Sequence, residues 1–431
     1  MHSWASLPVP SLPGASTPPL VFDTAAQRLS LAECSGDNKA GVYVCGITPY
    51  DATHLGHAAT YIAFDTLQRV WRDAGYDVRY VQNVTDIDDP LLERATATGV
   101  DWRDLAAEQT QLFRDDMESL RVLPPDEFIA VSEVIDEIAD AVEQLVDTGY
   151  AYSVPAPSAV DPDAADVYFD IARAESGTPW RLGQESNYDA DTMLRFFAER
   201  GGDPDREGKR NRLDPLLWLA ARPGEPSWPS RVGSGRPGWH VECSVIALRH
   251  LGDAVTVQGG GSDLIFPHHE MSAGHASALT GKHFACIYSH TGMVAYQGEK
   301  MSKSLGNLVL VSRLRERGVD PRAIRLAVLA HHYRSDWEWT DAVLDEAIAR
   351  LARWQSLTGS AGDGADGALG AYVADGDASD LLAAVRKHLG FDLDTPSALD
   401  AIDDWVAAHP GTAAPVAVDL IDALLGIDLA R

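Results

Sequence analysis

Positive charge is scarce in this chain: 35 Lys and Arg stand against 64 Asp and Glu, a formal net charge of −29 at pH 7. A protein that grips a nucleic-acid backbone normally presents a basic face. An acidic protein can still carry a basic patch, but residues 341–431 hold 16 acidic side chains against 5 basic ones, a net of −11. That is a poor surface for RNA. Long apolar runs are also missing, since none approaches the roughly 20 residues that cross a bilayer. The Pro- and Ser-rich stretch Met1–Leu20 lacks the apolar core of a signal peptide. Cysteine is sparse too. Cys34, Cys45, Cys243 and Cys286 are scattered, without the dense spacing of a disulfide framework, so a reducing cytoplasm is expected.

What is present can build a core. The 431 residues are 45% hydrophobic with 11 Trp, enough for two or three packed units. An apolar run, Gly41-Val42-Tyr43-Val44, precedes a turn at Pro49 and a helical stripe of Leu55, Ile62, Leu67, Val70 and Trp71 that ends near Gly75. Tyr76–Val81 then reads as a second strand, so strand, helix and strand predict a right-handed βαβ unit in a parallel sheet. Residues 102–148 read as helical, and Pro155, Pro157 and Pro162 punctuate an insertion running to about Asn211. The sheet pattern is expected to resume at Leu216–Trp218 and at 254–257, with helices beyond. Residues 359–370 read as a Gly/Ala/Asp linker. The expected organisation is an extension over 1–35, a nucleotide-binding fold over 36–120, an inserted subdomain over 121–211, the second half of the fold over 212–320, and a helical region over 321–431.

Two short segments carry most of the chemistry. His54-Leu55-Gly56-His57 opens the first helix, where imidazoles and free backbone N–H groups suit phosphate charge. Lys300-Met301-Ser302-Lys303-Ser304 sets two ammonium groups three residues apart on a loop flanked by Gly298 and Gly306, where they can follow a leaving pyrophosphate. In this order and this far apart, the pair resembles the two signatures of class I aminoacyl-tRNA synthetases.

Cys45 ends the first strand. Cys243 lies in Pro237-Gly238-Trp239-His240-Val241-Glu242-Cys243-Ser244, and His268 in the run from Gly259 to Glu270. Taken singly, Cys243 reads as a small buried hydrophobe and His268 as a core histidine. Together with Asn83-Val84-Thr85-Asp86-Ile87-Asp88-Asp89, these pieces are similar to cysteinyl-tRNA synthetase, over about residues 42–307. In that family the matching two cysteines and first histidine hold a zinc ion in the amino-acid pocket. Cysteine differs from serine by one atom, and packing separates such near-isosteres weakly, whereas zinc binds thiolate strongly.

The chain departs from the synthetase at four places. A fourth zinc-ligating glutamate is replaced by Ser272, an Ala-Arg pair by Ala58-Ala59, and a lysine after the Asp-Asp pair by Pro90; Glu199-Arg200-Gly201-Gly202-Asp203-Pro204 is not a synthetase hallmark. These features resemble the synthetase-derived ligases that join cysteine to glucosaminyl-inositol in mycothiol biosynthesis. The resemblance implies a class I doubly wound parallel sheet with an inserted subdomain and a helical C-terminal region. It implies a cytoplasmic monomer using L-cysteine, ATP with Mg²⁺ and the amino sugar, with one Zn²⁺ per chain and neither nucleic acid nor membrane. His54, His57, Lys300 and Lys303 would serve the phosphates, and Cys45, Cys243 and His268 the zinc. Thr48, Thr60, Asn83, Val84, Thr85 and Trp239 would line the adenylate pocket, although core packing is the alternative for Trp239. Gly261, Ser262, Asp263 and Val294 would meet the nucleotide, Asp263 through the ribose. For the Asp86–Asp89 run a capped, solvated turn is expected rather than a metal site. A cysteinyl-tRNA synthetase is the alternative function.

Overall fold

A computed structural model describes residues 1–430 apart from 35, 37, 52, 253–254, 302–305, 359–374 and 411–412, with only the backbone at Lys300 and at 375–377. The 359–370 linker therefore lies outside the described residues. A hairpin of β1 (Leu20–Asp23) and β2 (Arg28–Leu31) precedes β3 (Lys39–Ile47), α1 (Leu55–Asp73) and β4 (Asp77–Val84). β3 and β4 are parallel, as expected of the βαβ unit, and all five residues of the α1 stripe are buried. Next come α2 (Asp89–Thr98), α3 (Trp102–Ser119), β5 (Glu127–Ala130) and α4 (Ile135–Asp147). The helical reading of 102–148 is thus interrupted by a strand. β5 is only four residues long and buries Phe128, Ile129 and Ala130 consecutively, so it offers no alternation to read.

There follow β6 (Ala151–Pro155), β7 (Ala165–Phe169), α5 (Ile171–Gly177), α6 (Ala190–Glu199), β8 (Leu216–Ala220) and β9 (Gly235–Pro237). These strands form their own antiparallel sheet in the order β6-β7-β8-β9. The strand at Leu216–Trp218 therefore belongs here and not to the central sheet. An apolar run shows that a strand is buried but not which sheet buries it. The chain returns through α7 (Trp239–Leu251), β10 (Val255–Gly261), α8 (Glu270–Thr280) and β11 (Ile287–Thr291). It ends in β12 (Val294–Tyr296), β13 (Glu299–Lys300), α9 (Val311–Glu316), α10 (Pro321–Leu329), β14 (Trp337–Trp339), α11 (Asp341–Gln355), α12 (Asp375–Leu389), α13 (Thr395–Ala408) and α14 (Pro415–Leu425).

The central sheet runs β11-β10-β3-β4-β5 and is parallel throughout. Both faces are covered, which is why β3 is a continuous apolar run. Val42 and Val44 pack toward α1, α10 and α14, while Tyr43 and Val81 pack toward α4, α7 and α8. The chain winds outward from β3 to β5 and later resumes at β10 on the other side of β3. That reversal places a ligand crevice at the carboxyl ends of β3 and β10.

α1 is fastened to the C-terminal helices by buried charge. Asp65 accepts from Arg69 Nε at 2.8 Å, from Arg325 Nη2, and from the Leu123 amide at 2.7 Å. Arg69 also donates to the carbonyls of Asp422 and Ala423, and Arg325 to that of Leu425, so both guanidiniums cap the end of α14. The cysteine reading needs one correction: Cys34 and Cys286, 252 residues apart in sequence, form a disulfide with Cα atoms 5.9 Å apart. It ties the N-terminal hairpin to the lead-in of β11, a proximity that spacing along the chain cannot reveal. Among the described residues no helix is long and apolar enough to cross a membrane.

Candidate active site

A cavity of about 830 Å³ opens at the carboxyl ends of β3 and β10. His54 caps α1, its Nδ1 accepting from the Gly56 amide at 3.0 Å, and its ring stacks on that of His57 with centroids 3.9 Å apart. A Cβ on residue 56 would lie 2.8 Å from the His54 ring, so glycine there is what allows the cap and the stack together. The first turn of α1 is also paired to the chain that follows the second signature. The Leu55 amide donates to the Val309 carbonyl and the Val311 amide to the Thr53 carbonyl, both at 3.0 Å. Met301 and Leu308 reach the same cavity, while Lys303 and the Lys300 side chain lie outside the described residues.

At the opposite end, Cys45, Cys243 and His268 are buried and offer donor atoms all within 4.8 Å of one another. The two sulfurs are 3.9 Å apart, and His268 Nε2 is 3.2 Å from Cys243 Sγ. Burial pushes the Cys243 thiol well above its usual range, with Cys45 adding to the effect, so a thiolate there needs a cation beside it. Burial likewise holds His268 well below the usual imidazole range, which leaves it neutral, the form that ligates metals. The donor set fits a metal ion.

A second layer, not anticipated from the sequence, orients these groups. His268 Nδ1 meets His240 Nδ1 at 3.0 Å. His269 Nε2 sits 3.2 Å from Cys45 Sγ, and its Nδ1 continues to His290 at 2.7 Å and through it to Thr24 at 2.7 Å. Outer partners of this kind fix ring orientation and tautomer. The His268-His269 doublet was the visible signal, but His240, His290 and Thr24 join it only through the fold. Ser272, at the position of the synthetase's extra ligand, donates its hydroxyl to the His240 carbonyl at 3.0 Å.

Trp239 stands between the two ends. It is half-buried, lines the cavity and stacks on His268 with centroids 4.3 Å apart. Thr48 and Thr60 line the cavity, and Thr60 Oγ1 bonds Thr291 Oγ1 at 2.8 Å. Asn83, Val84 and Thr85 are buried behind the lining. Asn83 Oδ1 accepts from Tyr43 and from the Gly46 amide, which fixes the turn that carries Cys45. Gly261, Asp263 and Val294 line the cavity as well, and Ser262 sits in the intervening turn. Asp88 caps α2, but the run is not uniformly solvated: Asp86 is buried and accepts from the Ser132 amide at 2.9 Å.

Arg200 was also missed as a contact. Its Nη1 donates to the carbonyls of Asp263, at 2.5 Å, and Phe266, joining the inserted subdomain to the turn that leads to His268. A phosphate-suited helix N-terminus, a buried Cys₂His cluster and a crevice at the switch point of a parallel sheet define a class I synthetase-type catalytic domain. Residues 31–349 match the family described as tRNA synthetases class I (C) catalytic domain. Methionyl-tRNA synthetase of Mycobacterium tuberculosis, in complex with methionyl-adenylate, shares the fold at a TM-score of 0.58 and 19% identity, with 85% of this chain and 82% of that chain covered. Full-length relatives are closer in sequence. The L-cysteine:1D-myo-inositol 2-amino-2-deoxy-alpha-D-glucopyranoside ligase of Clavibacter michiganensis subsp. michiganensis is 64% identical, covering 100% of this chain and 99% of its own. That of Thermobispora bispora is 56% identical, with 100% of both covered. The chain belongs to this ligase family.

Proposed function

We propose that the chain joins L-cysteine to the amine of glucosaminyl-inositol, giving Cys-GlcN-Ins, AMP and diphosphate in mycothiol biosynthesis. The observation that carries this reading is the 64% identity, end to end, with a ligase of that name, joined to a cavity that has a buried Cys45–Cys243–His268 cluster at one end. The cysteine carboxylate attacks the α-phosphorus of MgATP and the bond to diphosphate breaks. The amine nitrogen then attacks the acyl carbon, loses a proton, and the bond to AMP breaks. Neither step needs a protein nucleophile, so the work of the chain is positioning and charge stabilisation.

Zinc is the metal that the Cys₂His set fits. Cys45, Cys243 and His268 would hold it, and its affinity for thiolate sulfur would separate cysteine from serine. Thr48, Thr60 and Trp239 frame the aminoacyl group, and Asn83–Thr85 hold that wall in place. Gly261, Ser262, Asp263 and the Val294 backbone serve the nucleotide. His54 and His57 receive the triphosphate at the N-terminus of α1. Lys300 and Lys303 follow the leaving diphosphate. The enzyme works as a monomer on small molecules, without nucleic acid.

The acceptor decides the reading. With cysteine and ATP present, glucosaminyl-inositol should drive AMP formation and cysteine tRNA should not, and transfer to the tRNA would overturn the ligase assignment. Turnover should also depend only weakly on salt, because no phosphate backbone is gripped. A second expectation concerns charge that develops in the transition state. Lys303→Ala should lower the rate of ATP–pyrophosphate exchange about 100-fold or more while changing cysteine binding by less than about threefold. Equal losses in exchange rate and cysteine affinity would assign Lys303 a structural role instead.

A further inference from the structure

The residues assigned to metal, cysteine and nucleotide leave part of the cavity wall without a task. Two segments build it: the N-terminus of α2, with Asp88, Asp89 and Glu93, and the stretch Glu199–Asp203, where α6 ends and its following loop begins. The loop is held firmly. Arg200 ties it to the carbonyls of Asp263 and Phe266, and its guanidinium lies 4.1 Å over the Phe196 ring. Gly202 has no room for a side chain, because a Cβ would come within 2.4 Å of Phe197. Asp203 is fixed by the Tyr168 hydroxyl and by Lys209 at 2.8 Å. The loop is therefore anchored beside Asp263, at the nucleotide end, where an acyl-adenylate would be approached.

Glu199 is exposed on this wall and makes no hydrogen bond or ion pair among the described residues. On the facing segment Glu93 is likewise exposed and unpaired among them, while Asp89 is engaged by Arg236, which also reaches Glu225 at 3.1 Å. Asp88 caps α2 by accepting from the Asp89 amide at 2.8 Å. Buried behind it, Glu242 has Oε2 without a hydrogen-bond partner among the described residues. Carboxylates on both sides of an opening repel a polyanion. They suit a small polyol bearing a protonated amine, since a carboxylate accepts from hydroxyl and ammonium alike.

We infer that the space between the 199–203 loop and the N-terminus of α2 is the acceptor subsite, where Asp88 and Glu199 receive the ammonium and hydroxyl groups of an amino sugar. The inference rests on the ligase reading above. Burial raises Asp88 to about 6, so it is still ionised at neutral pH and able to meet a cation.

The test separates the half-reactions. Asp88→Asn keeps the helix cap, because Asn and Asp cap comparably, and Glu199→Gln alters an exposed side chain, so both variants should fold. Each should raise KM for glucosaminyl-inositol by about tenfold or more, the effect of losing a hydrogen bond to a charged group. Cysteine-dependent ATP–pyrophosphate exchange, which the amine does not enter, should stay within about twofold of wild type. Unchanged KM in both variants, with the wild type consuming the sugar, overturns the subsite. So does a parallel fall in exchange, which would place these carboxylates at adenylation. A wild-type enzyme that never consumes the sugar removes the ligase reading and the subsite with it.

Discussion

Cys243→Ala should abolish selection of cysteine: bound zinc falls from roughly one per chain to near none, and kcat/KM for cysteine in ATP–pyrophosphate exchange drops by more than about 100-fold. Changing an outer partner of a metal ligand already costs 10–100-fold, and removing the ligand itself takes away the thiolate site. The fold should survive, because the change deletes a single buried sulfur from a residue 1% exposed on a well-packed α7. Cys243→Ser should fail similarly despite its closer shape, since a hydroxyl is a weak ligand for zinc. Metal analysis and exchange assays with cysteine and serine check both variants. A metal-free enzyme that still activates cysteine and rejects serine would end the zinc assignment.

Asp65→Asn should lower stability by about 3–5 kcal/mol, because it leaves Arg69 and Arg325 buried without a counter-charge. The side chains of all three residues are essentially inaccessible to solvent, so water cannot compensate. The pH dependence has a definite sign. Burial pushes the Asp65 carboxyl up, but the Arg69 and Arg325 guanidiniums and the Leu123 amide outweigh it and hold the group below its ordinary value. A carboxyl depressed in the folded state stabilises above its unfolded pKa, near 4, and loses that contribution as pH falls through the folded value. The gap between wild type and Asp65→Asn in urea unfolding should therefore be constant from about pH 8 to 5 and narrow below about pH 4. A gap under about 1 kcal/mol, or one that does not narrow in acid, would show that the arginines find other partners.

The parts legible in the sequence were those with a local cause. The α1 stripe repeats at helical spacing and ends beside a glycine, so the helix could be read at Leu55–Asp73 almost to its ends. The β3–α1–β4 unit followed from apolar runs on either side of it. Cys45, Cys243 and His268 were legible as a set through family motifs, and the fold gathers their donor atoms within 4.8 Å. What escaped had no local signature. β5 is four consecutive residues with no alternation, and β8 looks like any buried strand until its partners β7 and β9 are known. Cys34 and Cys286 are far apart in sequence, and only the packing of the N-terminal hairpin on β11 brings them together.

The sequence by itself determined the strand–helix–strand start, the two segments that resemble the class I signatures, the thiol and imidazole groups of the cluster, and the net acidic character. All of these depend on residue type at short spacing, through helix periodicity, side-chain chemistry and summed charge. Only the tertiary structure decided which sheet owns each strand and where the chain reverses around β3, and so where the crevice opens. It alone brought His240, His269 and His290 around the Cys45–Cys243–His268 cluster and set Arg200 against the carbonyls of Asp263 and Phe266. It alone buried Asp65 between two arginines. The physical reason is that pairing, burial and desolvation depend on distances between residues remote in the chain, and those distances exist only once the layers have packed.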